Sequence, residues 1–360
     1  HLRKMDGTHL NNKIGIVGGG ITGLISAYFL SLEGYKVDLY EKKTLLSETS
    51  SKTTKLIHGG IRYLENLQFH EVKNGINDRK WWLENFPDET KLQEIIILSK
   101  KKLSPEIFKF FFGIKVYETF AGRSNIKTGR LYKQDDLLSL GIKNNISAGI
   151  SFYDGLMQES VGQEIIKRCK SNGVNFYENN EIKSIRSEGR IEEKQYKKII
   201  IATGPWASSF LKQNKIDTNK TIDYIKGSHL IINRKIKKGL MFRDQKKHRY
   251  IFALPYQGNL LLGTTEQRVR SPEDNHVLDS EVNYLLESIN IYIDRPINKD
   301  EIIKSYSGVR PLIKSKAQDF HSSSRDFYIQ KDHNLLSLFG GKWTTAPSIA
   351  RNIVRIVNNE

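Results

Sequence analysis

Apolar positions along the chain switch period in a way that marks out elements. Ile14, Ile16 and Val17 form a short β-branched run that reads as a buried parallel strand, and Leu24, Tyr28, Phe29 and Leu32 then recur at helical spacing. Between the two lies Gly18-Gly19-Gly20-Ile21-Thr22-Gly23. Lys36–Tyr40 reads as a second strand, and Lys198–Ala202 as a buried strand that stops at Gly204-Pro205. Arg249–Leu254 and Asn259–Gly263, joined through Pro255-Tyr256-Gln257-Gly258, predict a hairpin. Leu335–Phe339 is a further apolar run; Gly340-Gly341 and a helical pattern to the end follow it. The predicted fold class is α/β: a Rossmann-like domain with a parallel sheet, plus a mainly antiparallel α+β domain. We divide the chain into 12–95, 150–222 and 300–360 for the first domain and 96–149 and 223–299 for the second. Residues 1–11 stand outside the fold, His1-Leu2-Arg3-Lys4 reading as the remnant of a tag.

The glycine turn sits in the strand-turn-helix context that a dinucleotide's pyrophosphate requires. Gly18 would make the tight turn, Gly20 would let backbone approach the phosphates, and Gly23 would let helix pack on strand. Ile21 and Thr22 open the helix, whose free N–H groups favour an anion. Glu41 ends the second strand where an acidic side chain would hydrogen-bond an adenosine ribose, and Lys42 follows it.

Beyond Glu41 the pattern loses its period. Ser47 to Glu65 read as a long loop rich in small hydroxyl residues and closing on glycines, so backbone amides can approach a flat ligand. His58, Arg62 and Tyr63 add polar contacts there. Gly204-Pro205 would bring the chain back across the same nucleotide, and Gly340-Gly341 would aim a second helix N-terminus at the ligand.

Composition narrows the classes. Charged residues are 27% and hydrophobic ones 38% of 360, a globular balance, and no apolar run is long enough to span a membrane. The single cysteine, Cys169, has no partner for a disulfide or a redox pair, which fits a reducing cytoplasm and makes redox chemistry depend on a cofactor. A net charge of +17 favours anionic partners or reflects a general Lys bias. No nucleic-acid module, zinc spacing or repeat is present, so neither a nucleic-acid partner nor a metal is expected. Lys100-Lys101-Lys102 followed by Ile107–Lys115 reads either as a buried helix or as a peripheral contact with anionic lipid on the inner face of the membrane.

A dense series of segments resembles the FAD-dependent glycerol-3-phosphate dehydrogenases, within the wider D-amino-acid-oxidase-like flavoproteins. It comprises Ser50–Glu65, Ala202–Trp206, Lys226–Leu230, Leu261–Glu266, Tyr306–Leu312, Ser324–Tyr328 and Phe339–Thr345, in the family's order. Two features depart from the family. Its members usually continue into a helical C-terminal domain whereas this sequence ends at Glu360, and Trp343 and Ala346 stand where leucine and tyrosine are common.

The resemblance implies FAD as cofactor. Ser50, Thr54, Lys55, Leu56, His58, Gly59, Gly60, Ala202, Gly204, Trp206, Arg310, Gly340, Gly341, Lys342, Trp343 and Thr344 join the glycine turn and Glu41 in holding it. It also implies oxidation of sn-glycerol 3-phosphate or a similar phosphorylated polyol to the ketone, by hydride transfer to flavin N5. His229 is then the proton acceptor, Arg310 and Lys342 share the catalytic site, and Arg62, Tyr63 and Arg325 bind substrate with them. Three rivals stay open: an amino-acid or 2-hydroxy-acid oxidase, an oxidoreductase of a larger phosphorylated sugar in a glycan or lipid pathway, and a non-enzymatic flavin-binding protein. The electron acceptor, oxygen, quinone or a soluble carrier, is equally open.

Overall fold

The computed structural model describes residues 12–60, 69–100, 112–115, 119, 127–218, 220–245, 249–314 and 327–359, with only the backbone of 69–72. Lys13–Val17 lies parallel to Lys36–Tyr40 on one side and to Lys198–Ile201 on the other. Leu335–Gly340 extends this sheet beyond Lys198–Ile201 and Asn175–Tyr177 extends it beyond Lys36–Tyr40. Phe327–Asp332 closes one edge antiparallel, and six strands stand in this sheet among the described residues. Parallel strands covered on both faces read as unbroken apolar runs, and Ile14, Ile16, Ile199, Ile200 and Ile201 are fully buried. Helices Ile21–Leu32, Val161–Ser171 and Ala346–Asn359 cover one face, with Trp82 and Phe86. Short antiparallel strands between Ile185 and Gln195 and the helix Ala207–Gln213 cover the other.

The expected helix forms over Ile21–Leu32. Leu32, the last position of the helical spacing, is 58% exposed, because it lies at the helix end, past the packed stripe of Ile21, Leu24, Ile25, Ala27 and Leu30. Cys169 lies in the core under this helix, and burial pushes its thiol up to about 12.

A second, strongly curled sheet is built around Ile222–Ile232. This strand pairs antiparallel with Asn259–Gly263 and, along nearly its whole length, with Ile302–Ile313. The expected hairpin forms between Tyr250–Tyr256 and Asn259–Gly263, with left-handed φ values at Gln257 (51°) and Gly258 (76°), the turn that matches strand twist. The sheet continues through Gly239–Arg243, Thr90–Ser99 and Ala148–Met157 to Leu56–Ile57. Thr90–Ser99 and Ala148–Met157 pair along their whole length. The divisions drawn at 95/96 and 149/150 therefore fall inside strands of this sheet, to which Ile302–Ile313 also belongs.

One face of the curled sheet packs on helix Asp279–Asn290 through Leu285, Leu286 and Ile289, with Tyr292 just beyond the helix. The opposite face carries Gly227, His229, Phe252 and Arg310 into a cavity shared with the loops at the strand ends of the parallel sheet. Residues 101–111 of the basic aromatic stretch lie outside the described residues; within 112–115, Ile114 is buried and Phe112 exposed. Among the described residues no helix is long and apolar enough to cross a membrane.

Candidate active site

The glycine turn is shaped as its sequence predicts. Gly18 has φ 111°, and a Cβ there would lie 2.3 Å from the Ala202 carbonyl oxygen; one on Gly23 would lie 2.0 Å from that of Gly18. Strand, helix and the Ala202 crossover are thus in backbone contact, and only glycine fits. Helix Ile21–Leu32 has no acidic residue in its first turn, and the Ile21 N–H donates to Ser50 Oγ at 3.0 Å. Glu41 accepts from the Gly19 N–H at 2.7 Å and the Lys43 N–H at 2.9 Å, which leaves lone pairs on both carboxylate oxygens for further donors. A cavity of about 190 Å³ opens here, lined by Gly18, Gly20, Glu41, Lys42, Ser50 and Trp206 among others. Lys42 Nζ stands 4.7 Å over the Trp206 ring.

Gly20, Thr49, Ser50, Ala202, Gly204 and Pro205 also line a second cavity of about 300 Å³, so the two form one long cleft. The loop after Glu41 runs along it as a short 3₁₀ turn, Thr49–Ser51, and a short strand, Leu56–Ile57. Its hold is polar. Trp343 Nε1 donates to the Ser50 carbonyl at 2.8 Å, Trp82 Nε1 to the Trp343 carbonyl at 3.1 Å, and the His58 N–H to Thr344 Oγ1 at 3.2 Å. The Gly59 N–H donates at 2.8 Å to Asp154, which is itself paired with buried Arg79 at 3.0 Å. Gly340 and Gly341, at φ 73° and 85°, turn the chain so that Lys342, Trp343 and Thr344 close the cavity just before the last helix.

Period-two alternation on the Ile222–Ile232 strand divides labour between its faces. Lys226 and Ser228 point behind the sheet, where Lys226 pairs with Glu281 at 2.9 Å and Thr265 Oγ1 bridges the Ser228 N–H and Glu281. Gly227 and His229 face the cavity. The His229 ring is 3% exposed, stacks on Tyr306 at 5.0 Å, and has Nε2 2.9 Å from Thr54 Oγ1. Nδ1 is buried and has no hydrogen-bond partner among the described residues. Burial first, then Arg310 and Lys55, depress its pKa to about 3, so the imidazole is neutral at physiological pH.

On the same cavity wall, Glu266 forms an ion pair with Arg249 at 3.0 Å and accepts from Arg310 at 3.2 Å. Two guanidinium groups thus meet one carboxylate on this wall, and Lys342 lines the same cavity. A wall of this kind suits a phosphate or carboxylate placed beside a neutral proton acceptor.

The predicted residues therefore largely converge. Gly20, Ile21, Thr22, Ser50, Thr54, Leu56, His58, Gly60, Ala202, Gly204, His229, Arg310, Gly340, Gly341, Lys342, Trp343 and Thr344 line the larger cavity, and Gly18, Glu41, Lys42 and Trp206 the smaller. Gly23, Lys55 and Gly59 are on neither wall. Lys55, at φ 62°, sends Nζ to the Ser51 carbonyl at 2.7 Å between the Tyr256 and Tyr306 rings, and burial pulls its pKa down to about 8. Arg62, Tyr63 and Arg325 lie outside the described residues. Arg249, Glu266, Thr264 and Asp154 line the cavity without having been singled out. For Thr264 and Glu266 the signal was present in the segment Leu261–Glu266; Arg249 and Asp154 gave none.

A model of the DAO family, FAD dependent oxidoreductase, matches residues 13–356. The chain belongs to this family. It is 28% identical to a glycerol-3-phosphate dehydrogenase of Pseudomonas tolaasii, over 94% of this chain and 70% of that protein. It is 29% identical to the aerobic glycerol-3-phosphate dehydrogenase of Staphylococcus saprophyticus, over 95% of this chain and 66% of that one. The chain thus spans about two thirds of the length of these relatives. Its fold matches FAD-bound L-alpha-glycerophosphate oxidase from Mycoplasma pneumoniae with a TM-score of 0.76 at 21% identity, covering 96% of this chain and 94% of that one. The cleft of this DAO-family protein fits FAD. Close backbone contacts at Gly18 and Gly23 leave the helix N-terminus facing the middle of the cleft, Glu41 lies in the smaller chamber, and left-handed glycines open the larger one.

Proposed function

We propose that this FAD-dependent oxidoreductase oxidises sn-glycerol 3-phosphate, or a similar phosphorylated polyol, to the corresponding ketone. The observation that carries the reading is the larger cavity, which neutral His229 with Thr54 lines together with the Arg310–Glu266–Arg249 cluster and Lys342. The names of the dehydrogenase relatives support the same substrate.

Bound FAD supplies a hydride acceptor. Arg310, oriented by Glu266, would hold the substrate's phosphate, and Lys342, on the same cavity, would hold the polyol. His229 takes up the hydroxyl proton as the carbinol is oxidised. The phosphate's charge offsets Arg310, one of the groups that disfavour the imidazolium, so substrate binding itself raises the basicity of His229. Phe152, Tyr250 and Phe252 line the cavity and exclude water from the reacting carbon.

The test is anaerobic titration of the oxidised protein with a panel: sn-glycerol 3-phosphate, glycerol, amino acids and 2-hydroxy acids. Loss of flavin absorbance with glycerol 3-phosphate and not with glycerol supports the reading. Bleaching by an amino or hydroxy acid alone replaces it with oxidation of a carboxylate substrate on the same cations.

A further inference from the structure

We infer that Thr54 is a catalytic residue, whose hydroxyl relays the substrate's hydroxyl proton to Nε2 of His229; the inference rests on the reading of the site as an alcohol oxidase. A base that is 3% exposed cannot itself advance on a substrate. The ring is clamped. Tyr306 stacks on one face at 5.0 Å, and a Cβ on Gly263 would lie 2.3 Å from Cδ2, so the neighbouring strand touches the ring edge. Nδ1 is buried with no hydrogen-bond partner among the described residues, whereas Nε2 is 2.9 Å from Thr54 Oγ1 and through it reaches the cavity.

Thr54 is half-buried and lines the cavity from the loop side. Its position relative to the ring is fixed independently, because the Tyr306 hydroxyl donates to the Thr53 carbonyl at 2.8 Å, so the residue stacked on His229 also pins the backbone that carries Thr54. A hydroxyl can donate one hydrogen bond and accept two, so it can give its proton to Nε2 while receiving another from the cavity.

The step balances. As the carbinol C–H bond breaks and its hydrogen leaves with the electron pair for bound FAD, the substrate O–H bond breaks and its proton passes to Thr54 Oγ1. The original Thr54 proton passes to His229 Nε2. A ketone, a neutral threonine and an imidazolium remain.

The experiment uses the FAD-loaded protein with Thr54→Val, Thr54→Ser and His229→Asn, followed by anaerobic stopped-flow reduction at saturating sn-glycerol 3-phosphate in mixtures of H₂O and D₂O. Removing the relay should slow reduction by about 100-fold in Thr54→Val, as loss of a general base does, while Thr54→Ser stays near wild type. With two protons in flight the wild-type rate should curve against deuterium fraction, and the residual Thr54→Val rate should follow a straight line. The ¹⁵N resonances of the His229 ring in the oxidised protein, assigned by their absence in His229→Asn, should shift in Thr54→Val, showing loss of the hydroxyl partner without reference to turnover. Wild-type reduction rates in Thr54→Val overturn the relay, as does a straight line for the wild type, which stands even if Thr54→Val fails to fold. Should glycerol 3-phosphate not bleach the wild type, the substrate reading falls, and the same comparison is run with whichever panel compound does.

Discussion

Arg249 and Arg310 share Glu266, and this sharing decides how the cavity meets an anion. Glu266 pairs with both guanidinium groups and orients them, so Arg310, the more exposed of the two, presents a directed fork to the ligand. A hydrogen bond to a charged group contributes about 1.5–3 kcal/mol, and 1.4 kcal/mol is tenfold. Arg310→Ala should therefore raise KM for glycerol 3-phosphate by about 10–100-fold while the protein keeps its FAD; an unchanged KM removes Arg310 from the site. His229 makes a separate prediction. Its folded pKa of about 3 lies below the ordinary imidazole value near 6.5, so the unfolded chain takes up the proton first as pH falls. This group's contribution is intact above pH 6.5 and is lost progressively between 6.5 and 3. His229→Asn should flatten the fall of urea midpoints over that window, and identical slopes would contradict the buried neutral imidazole. His229 and Arg310 were legible as residue types in quoted segments, whereas Arg249 was not, since its partner Glu266 is brought to it only by sheet pairing.

At the level of elements, the strand-turn-helix at Lys13–Leu32 was legible because each of its parts has a local cause: β-branched burial, glycine-only contacts and helical spacing. The curled sheet was less so. Thr90–Ser99 and Ala148–Met157 become partners across a long stretch of chain, and no local pattern encodes which region a strand joins. Trp343 shows how an element end can carry a functional loop, since its indole N–H holds the Ser50 carbonyl while Ser50 Oγ meets the helix N-terminus. Trp343→Leu removes that bond, a loss of about 1 kcal/mol, and should speed FAD release by about fivefold in a dilution assay monitored by flavin fluorescence. Unchanged release would mean that the loop is held without the Trp343 indole, neither its hydrogen bond to Ser50 nor its packing on Trp82 being needed.

For the whole molecule, the cleft runs between two sheets, with walls from segments as distant as Gly20, His229 and Lys342. A ligand that binds this cleft ties both sheets together, and FAD at about 100 times its Kd should add about 2.7 kcal/mol to folding. Removal of FAD should then lower the thermal midpoint by several degrees; equal midpoints for apo and holo protein would place the cofactor outside the fold's cooperative unit. Cations lining the same cavity as a neutral histidine favour an anionic alcohol as substrate, and in the proposed reaction the carbon oxidised is C2. The most direct measurement is anaerobic reduction of the bound flavin by sn-glycerol 3-phosphate carrying deuterium at C2, at saturating concentration, with the ketone assayed after one turnover. Bleaching slowed severalfold by the deuterium, with one dihydroxyacetone phosphate formed per flavin, is the predicted result; a flavin that stays oxidised, or bleaches without forming the ketone, contradicts it.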